Sequence, residues 1–473
     1  MADALNEAAP SSAQNETGLA RGRLAPIEAL AQSVATLAPT ATPAMVAPLI
    51  ISLVGPVAWL DYLLAMAGVL VIAAAINRFA RREVGTGSLY EYARAGLGPG
   101  AGVIAGWALV IAYAGTASAL TAGFVAYVPA VFGSLDGRSA AVSGALTMVS
   151  VLGAGALAYR DVAVSARLML VLEATSVLLV LVLLLAPGGS GAQPLEAWRL
   201  APDAAALRGL PGGLLLAFFS FVGFESAAAF GHESANATTA IPRAIRNTAL
   251  IAGCFFGVVC VMEVAGFGSD IARIGDAPAP LDLLATRRGL AWMKPLLALG
   301  ATLGFFSCML ACTAAAARIL FAIARRGQLP SILARTHPRN RTPHVATVLS
   351  TLGVLLPVLA LLFGGVGLLD IYGWMGSIAT LGFLAAYFLV AVSAARAALS
   401  AGEIRGAALA GAAAVLVAAV AVLSLAAPAD DNYRVLPCVF LLVLVAGLAG
   451  TGLTPWLRVA AARAQASPAP PEA

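Results

Sequence analysis

Apolar runs long enough to cross a lipid bilayer follow one another along the chain, separated by short polar joints. They predict twelve spans, at about 28–54, 57–78, 99–128, 139–158, 163–187, 210–231, 246–268, 292–322, 345–364, 367–395, 406–427 and 435–457. Roughly 20 apolar residues at 1.5 Å each cover a hydrocarbon core of about 30 Å. Polar residues are scarce inside these runs and gather in two of them. Span one, IEALAQSVATLAPTATPAMVAPLIISLV, carries Pro39, Thr40, Thr42 and Pro43 near its middle. Each proline removes a backbone hydrogen bond and clashes with the preceding turn, so this span is expected to be broken. The hydroxyls of Thr36, Thr40 and Thr42 either cap the loose ends or meet a ligand. Span six, LPGGLLLAFFSFVGFESAAAFG from Leu210, holds Glu225 behind Phe221, Val222, Gly223 and Phe224. A carboxylate at that depth is costly unless paired or facing water, which marks Glu225 as functional. Gly223 lets the helix open, and the freed peptide groups must then find protein, water or a ligand; close packing is its plainer use.

Spans one and six stand an odd number of spans apart, so their chains cross the membrane in opposite directions, which suggests an inverted repeat. Discontinuous helices at corresponding places of two inverted halves mark a transporter's central site, with helix N-termini facing anionic groups and free carbonyls facing cationic ones. A zwitterion suits such a pair. Tyr113 in span three lies beyond the midplane and faces the same cavity from the outer half. Glu173 in span five sits near the midplane, where burial penalises its charged form and lets it take and release a proton; tying helices together is its plainer role. Ser307 and Thr313 in span eight offer oxygens to an ion or bond back to their own helix. Arg318 is expected to snorkel to the inner surface. Asp61 is expected to be solvated at the outer interface, and Glu263 to be reachable from water near the outer end of span seven. The loop GSDIARIGDAPAPLDLLATRRG reads as an amphipathic outer lid or a solvated connector.

Composition sharpens the class. A chain of 473 residues that is 60% hydrophobic and 11% charged, with a mean hydropathy of +0.92, is a polytopic membrane protein. With the N-terminus in the cytoplasm, 20 of the 28 lysines and arginines fall on inner segments. The net charge of +5 then follows from topology, and no nucleic-acid surface is required. Residues 1–25 and 459–473 read as disordered cytoplasmic ends, without a signal peptide. The five cysteines fall in apolar spans, with neither disulfide nor zinc spacing, so no metal or cofactor is expected. H-E-x-x-H, G-x-S-x-G and nucleotide-binding motifs are missing from the sequence, so the chain is read as no enzyme and its driving force as an ion gradient or exchange. No feature of the sequence bears on oligomeric state.

Three stretches resemble the amino acid/polyamine/organocation superfamily of permeases: FFSFVGFESAAAFGHESANATTAIPRAI from Phe218, GTGSLYEYARAGLGPGAGVIAGW leading into span three, and AAAARILFAIARRGQLPSILARTHPRNRTPH leaving span eight. The resemblance covers about 25–460. It implies an all-α integral membrane protein of twelve transmembrane helices. The core is a leucine-transporter-like 5+5 inverted repeat (26–190 and 205–398) with discontinuous helices 1 and 6, and two peripheral helices follow (404–458). It also implies that the backbone of Ala38, Pro39, Thr40, Ala41 and Thr42 receives a substrate carboxylate, that Phe221, Val222, Gly223 and Phe224 receive its ammonium group, and that Glu225, with Tyr113, belongs to the gate. Two departures stand out: P-T-A in place of G-x-G in the first break, and R-R-G in place of R-D-G after span eight. The expectation is a secondary transporter that carries an amino acid across the inner membrane by alternating access, as a proton symporter using Glu173. Sodium held between spans one and eight is the alternative ion. An amine or polyamine carrier, an exchanger, or a sensor on the same scaffold are the alternative activities.

Overall fold

A computed structural model of the protein describes residues 18–132, 139–186, 204–267, 274, 280–426 and 432–465. Among these residues the regular elements are helical, apart from one isolated bridge between Leu24 and Ser234. The α-helices are α1 (Pro26–Leu37), α2 (Ala47–Val54), α3 (Ala58–Ala80), α4 (Leu89–Leu97), α5 (Pro99–Phe132), α6 (Ala140–Tyr159), α7 (Val162–Leu185), α8 (Ala204–Phe219), α9 (Ala237–Phe267), α10 (Pro280–Arg287), α11 (Lys294–Arg325), α12 (His344–Phe363), α13 (Leu368–Ser400), α14 (Ile404–Ala426) and α15 (Leu436–Gln465). Several starts are set by local chemistry. The Glu28 carboxylate accepts from Ala25 N at 2.8 Å ahead of Pro26 at the first turn of α1, and Asp161 caps α7 by accepting from Ala163 N at 2.8 Å.

Nine helical stretches among the described residues are long and apolar enough to cross a membrane. The first, Pro26–Ala80, contains both of the first two expected spans, divided where Gly55 adopts φ 68° ahead of Pro56. The expected sixth and twelfth spans correspond to shorter apolar helices, Gly209–Phe219 and Leu436–Thr451, the former ending where α8 ends. Val415, Val422 and Leu442 on α14 and α15 are each more than half exposed, an aliphatic surface suited to lipid.

At the centre, α5 packs against α11 and α13, while α1 lies against α7, α9 and α11. Hydrocarbon tails are as apolar as leucine, so these helices associate through close backbone approach and hydrogen bonds. The seam between α5 and α13 illustrates it: a Cβ at Gly382 would lie 2.5 Å from the Ala108 carbonyl oxygen, and one at Gly115 2.9 Å from that of Met375.

The ends differ from expectation. Leu19, Ala20 and Leu24 are buried, because the strand-like segment Gly22–Leu24 pairs with the chain after the second break, Leu24 N donating to Glu233 O and Ala235 N to Leu24 O, both at 2.8 Å. The disorder expected over 1–25 therefore does not extend to this segment, and 1–17 lie outside the described residues. Helix α15 runs to Gln465, beyond the boundary expected at 458; residues 466–473 lie outside the described residues, as does most of the expected outer lid before α10.

Candidate functional site

The prolines of span one interrupt it. Helix α1 stops at Leu37, Ala38 takes the left-handed conformation (φ 46°, ψ 66°), and Ala41 N closes a turn onto Ala38 O at 2.8 Å. Pro43 then sits in a π-helical turn, Thr42–Val46, whose wider hydrogen bonding absorbs the missing donor before α2 begins. The break thus runs from Ala38 to Ala41, and Thr36 is still helical. The second interruption begins at Ser220. Phe224 N bonds to Phe221 O at 3.2 Å and Ser226 N to Gly223 O at 2.9 Å, with Gly223 at φ 88°, before a 3₁₀ turn over Ser226–Phe230. The Phe221 and Gly223 carbonyls each accept one of these bonds and keep a second lone pair.

The two breaks touch. A Cβ at Gly223 would lie 2.5 Å from Thr36 Cγ2, so only glycine admits both the positive φ and this approach. Around the contact, the Thr36 hydroxyl donates to Gln32 O at 2.7 Å and lies 2.6 Å from Ser226 Oγ. Ala227 N donates to Ser33 Oγ at 2.9 Å, and Gln32 Nε2 to Ala311 O of α11 at 3.0 Å. The 3₁₀ turn is thereby fastened to α1 and α1 to α11.

Glu225 is fully buried and accepts two phenolic hydrogen bonds, from Tyr113 of α5 to Oε1 at 2.7 Å and from Tyr387 of α13 to Oε2 at 2.5 Å. The Tyr387 oxygen also accepts the Gly223 N–H at 3.0 Å. One tyrosine therefore satisfies a freed backbone donor and a buried carboxyl together. Sequence reasoning names Glu225 and Tyr113 but misses Tyr387, since a tyrosine in the middle of span ten carries no local signal. Replacing Tyr387 with phenylalanine leaves a carboxyl oxygen and an amide unsatisfied, at a cost of about 1–3 kcal/mol. Tyr113→Phe strands only one partner. A larger drop in thermal midpoint in detergent is therefore expected for Tyr387→Phe than for Tyr113→Phe.

A second cluster forms where the first break meets α7 and α11. The Glu173 carboxyl is buried with neither oxygen hydrogen-bonded, and the Ser307 hydroxyl lies beside it, also without a hydrogen bond. One turn along α7, Ser176 donates to Gly300 O at 2.7 Å. A Cβ at Gly304 would lie 2.1 Å from Thr40 Oγ1, so this glycine makes room for a buried hydroxyl that has no partner of its own. Glu173, Ser307 and Thr40 thus place oxygens at one junction. Thr313 does not join them, because its hydroxyl is spent on Met309 O at 2.8 Å, the back-bonding alternative. Among the described residues no group of His, Cys, Asp and Glu is arranged to hold a metal ion.

Three expected surface groups are buried instead. Asp61 is fully covered because Gly213 of α8 packs on it, where a Cβ would lie 2.5 Å from Oδ2. Glu263 is likewise buried, and neither acid has a hydrogen-bonded oxygen. Arg318 does not snorkel: at 1% exposure it forms a two-pronged ion pair with Glu233, Nε to Oε2 at 2.5 Å and Nη2 to Oε1 at 2.8 Å. Its guanidinium carbon stands 3.9 Å from the centre of the Phe230 ring, and Nη1 donates to Ala314 O at 2.9 Å. Outside this pair, Glu28 binds Arg167 and Asp161 binds Arg23, each at 2.8 Å. Burial, with Arg21 and Arg325 nearby, pushes the neighbouring His232 imidazole below its ordinary pKa.

Space around the breaks is small. A cavity of about 10 Å³ touches Gln32, Phe230 and Arg318, and another of about 10 Å³ touches Phe221, Phe224 and Tyr387. Each has room for about one water.

The family model described as "Amino acid permease" matches residues 34–429, which takes in both breaks and the helices around them. A branched-chain amino acid permease (BcaP) of Bacillus subtilis (strain 168) is 26% identical over 64% of this chain and 68% of its own length. An uncharacterized transporter of Mycobacterium tuberculosis is 32% identical over 59% of this chain and 61% of its own. The vacuolar cationic amino acid transporter 2 of Arabidopsis thaliana is 26% identical, across 68% of this chain and 52% of its own. A multi-pass helical membrane protein with two touching breaks, matched over most of its length by this model, belongs to the amino acid permease family.

Proposed function

We propose that the protein is a secondary active transporter that carries an amino acid across the inner membrane by alternating access. Its termini lie in the cytoplasm, and its core is a twelve-helix, leucine-transporter-like bundle with α14 and α15 peripheral. The contact between Gly223 and Thr36 carries this reading, because it brings two interrupted helices together at the depth where a substrate must be bound and released. The backbone from Ala38 to Thr42 takes the substrate carboxylate and the second lone pairs of the Phe221 to Phe224 carbonyls take its ammonium group. Tyr113 and Glu225 close over it. In the closed arrangement these groups bond to one another; opening exchanges those bonds for substrate and water.

Coupling is assigned to a proton at Glu173. A buried carboxyl without a hydrogen-bonded partner is neutral in the closed state, since an isolated charge there is too costly, and it ionises when the cavity admits water. In proteoliposomes, Glu173→Gln is expected to take up substrate at a rate that no longer responds to an imposed proton gradient, whereas the wild type accelerates. A gradient response that survives the substitution removes Glu173 from this role. Sodium at Thr40 and Ser307 is the second reading, favoured by their unpartnered oxygens at the same junction. Uptake that follows a sodium gradient and ignores a proton gradient selects it.

The relatives named above include a branched-chain and a cationic amino acid carrier. Counterflow of labelled leucine against labelled lysine separates a neutral from a cationic substrate.

A further inference from the structure

Away from both breaks, a cleft of about 560 Å³ lies between the end of α3, the start of α9 and the helices α13 and α14. Its wall is apolar on one side, with Leu70 and Ala73 of α3 facing Leu409 and Ala410 of α14. Its other side is cationic, with Arg78, Arg81 and Arg82 just where α3 ends and Arg246 on α9. One carboxylate, Glu403, faces these four arginines, and it is engaged by Arg78 at 2.6 Å. That one carboxylate, which also lies near Arg82, is left to balance four guanidinium groups, and Arg246 bonds the neutral side chain of Asn247. Asn77 adds an independent sign of a ligand. Its amide nitrogen donates to Pro242 O at 3.1 Å, but its Oδ1 is buried in the cleft wall without a hydrogen bond, on a residue 8% exposed.

We propose that this cleft binds an anionic phospholipid whose head carries a hydroxyl, as in phosphatidylglycerol. The phosphate lies among Arg81, Arg82 and Arg246, the head hydroxyl approaches Asn77, and an acyl chain lies along the Leu70 and Leu409 wall. The chemistry follows from position. The arginines stand at the end of α3 that the charge distribution places on the cytoplasmic side, at the level of lipid phosphates, while the apolar wall continues into the hydrocarbon. Basic pockets between transmembrane helices on that side suit such head groups. A lipid held there joins α3 of the core to α14. The proposal depends on membrane embedding and not on the assignment of substrate or coupling ion.

The test uses purified full-length protein in neutral detergent. Dioleoyl phosphatidylglycerol, dioleoyl phosphatidylcholine and inorganic phosphate are titrated separately while the thermal midpoint is followed. Only phosphatidylglycerol is expected to raise the midpoint, since a ligand that binds the folded state stabilises it. Combined Arg81→Gln, Arg82→Gln and Arg246→Gln, with the pair of Arg78 and Glu403 left intact, is expected to raise the phosphatidylglycerol concentration needed by roughly 100-fold, about fivefold per arginine. The matching triple lysine variant keeps the preference for phosphatidylglycerol and separates charge from misfolding. Equal stabilisation by phosphatidylcholine or by phosphate alone, or an unchanged phosphatidylglycerol requirement in the glutamine variant, overturns the proposal.

Discussion

Replacing Arg318 with alanine is expected to lower the thermal midpoint in detergent steeply, with a loss of about 3–5 kcal/mol, the range for stranding one partner of a buried ion pair. Against a total stability of roughly 5–15 kcal/mol that is a large fraction. The cost arises at Glu233, which is fully buried and receives two guanidinium hydrogen bonds. Without Arg318 it must either keep an uncompensated charge or take up a proton. The same substitution removes the cation over Phe230 and the bond to Ala314 O. A pair of this kind is not in itself strongly stabilising, because desolvation offsets much of the attraction. Arg318→Met combined with Glu233→Leu is therefore expected to restore much of what either single change loses. Thermal stability by fluorescence-detected size exclusion, on both single variants and the double, measures this. A double variant as unstable as the worse single one would mean that shape at this position, and not a stranded charge, sets the loss.

Features written into the covalent chain were legible in advance. Pro39 and Pro43 each remove a backbone donor within five residues, a local cost on a continuous helix, and the structure interrupts span one between Ala38 and Ala41. Gly223 among bulky aromatics marks the second interruption for the same local reason. The burial of Glu225 was legible because its depth follows from counting residues along span six. Its partners divide: Tyr113 was placed by depth in span three, whereas Tyr387 belongs to a helix 162 residues away in sequence. Arg318 and Asp61 were misplaced by the same limitation. A lone arginine near a helix end reads as a snorkelling side chain, and nothing in its own helix reports that Glu233, 85 residues earlier, is delivered to it by the second break. Asp61 reads as interfacial because it begins a helix, but α8 lays Gly213 across it. Breaks are local steric facts; burial is decided by whichever helix arrives from elsewhere. The 1–25 segment shows the same division, since its polar composition is that of a disordered end while the pairing of Leu24 with the chain around Ser234 orders its last residues.

Gly223→Ala is expected to reduce uptake about tenfold or more, the effect of each 1.4 kcal/mol on a population. Two penalties add. An alanine at φ 88° gives up about 1–2 kcal/mol of backbone energy. Its Cβ would also stand 2.5 Å from Thr36 Cγ2, well inside van der Waals contact. Both penalties apply in the closed state, where the breaks touch; opening removes the second by separating the breaks and relieves the first by letting the loosened segment change its backbone conformation. The substitution therefore shifts the population toward open states and slows every cycle that must pass through closure. Thr36→Ser separates the two terms, because it deletes Cγ2 while keeping the hydroxyl that bonds Gln32 O and Ser226. Alone it is expected to transport near the wild-type rate. Combined with Gly223→Ala it removes the collision but not the strained φ, so uptake should recover in part, to a level between the single alanine variant and the wild type. Initial rates in proteoliposomes, normalised to the amount of folded protein, give the comparison. If the double variant is no better than Gly223→Ala, contact between the breaks is not what limits the cycle; if Gly223→Ala transports at the wild-type rate, closure of these two helices against each other is not a step of transport at all.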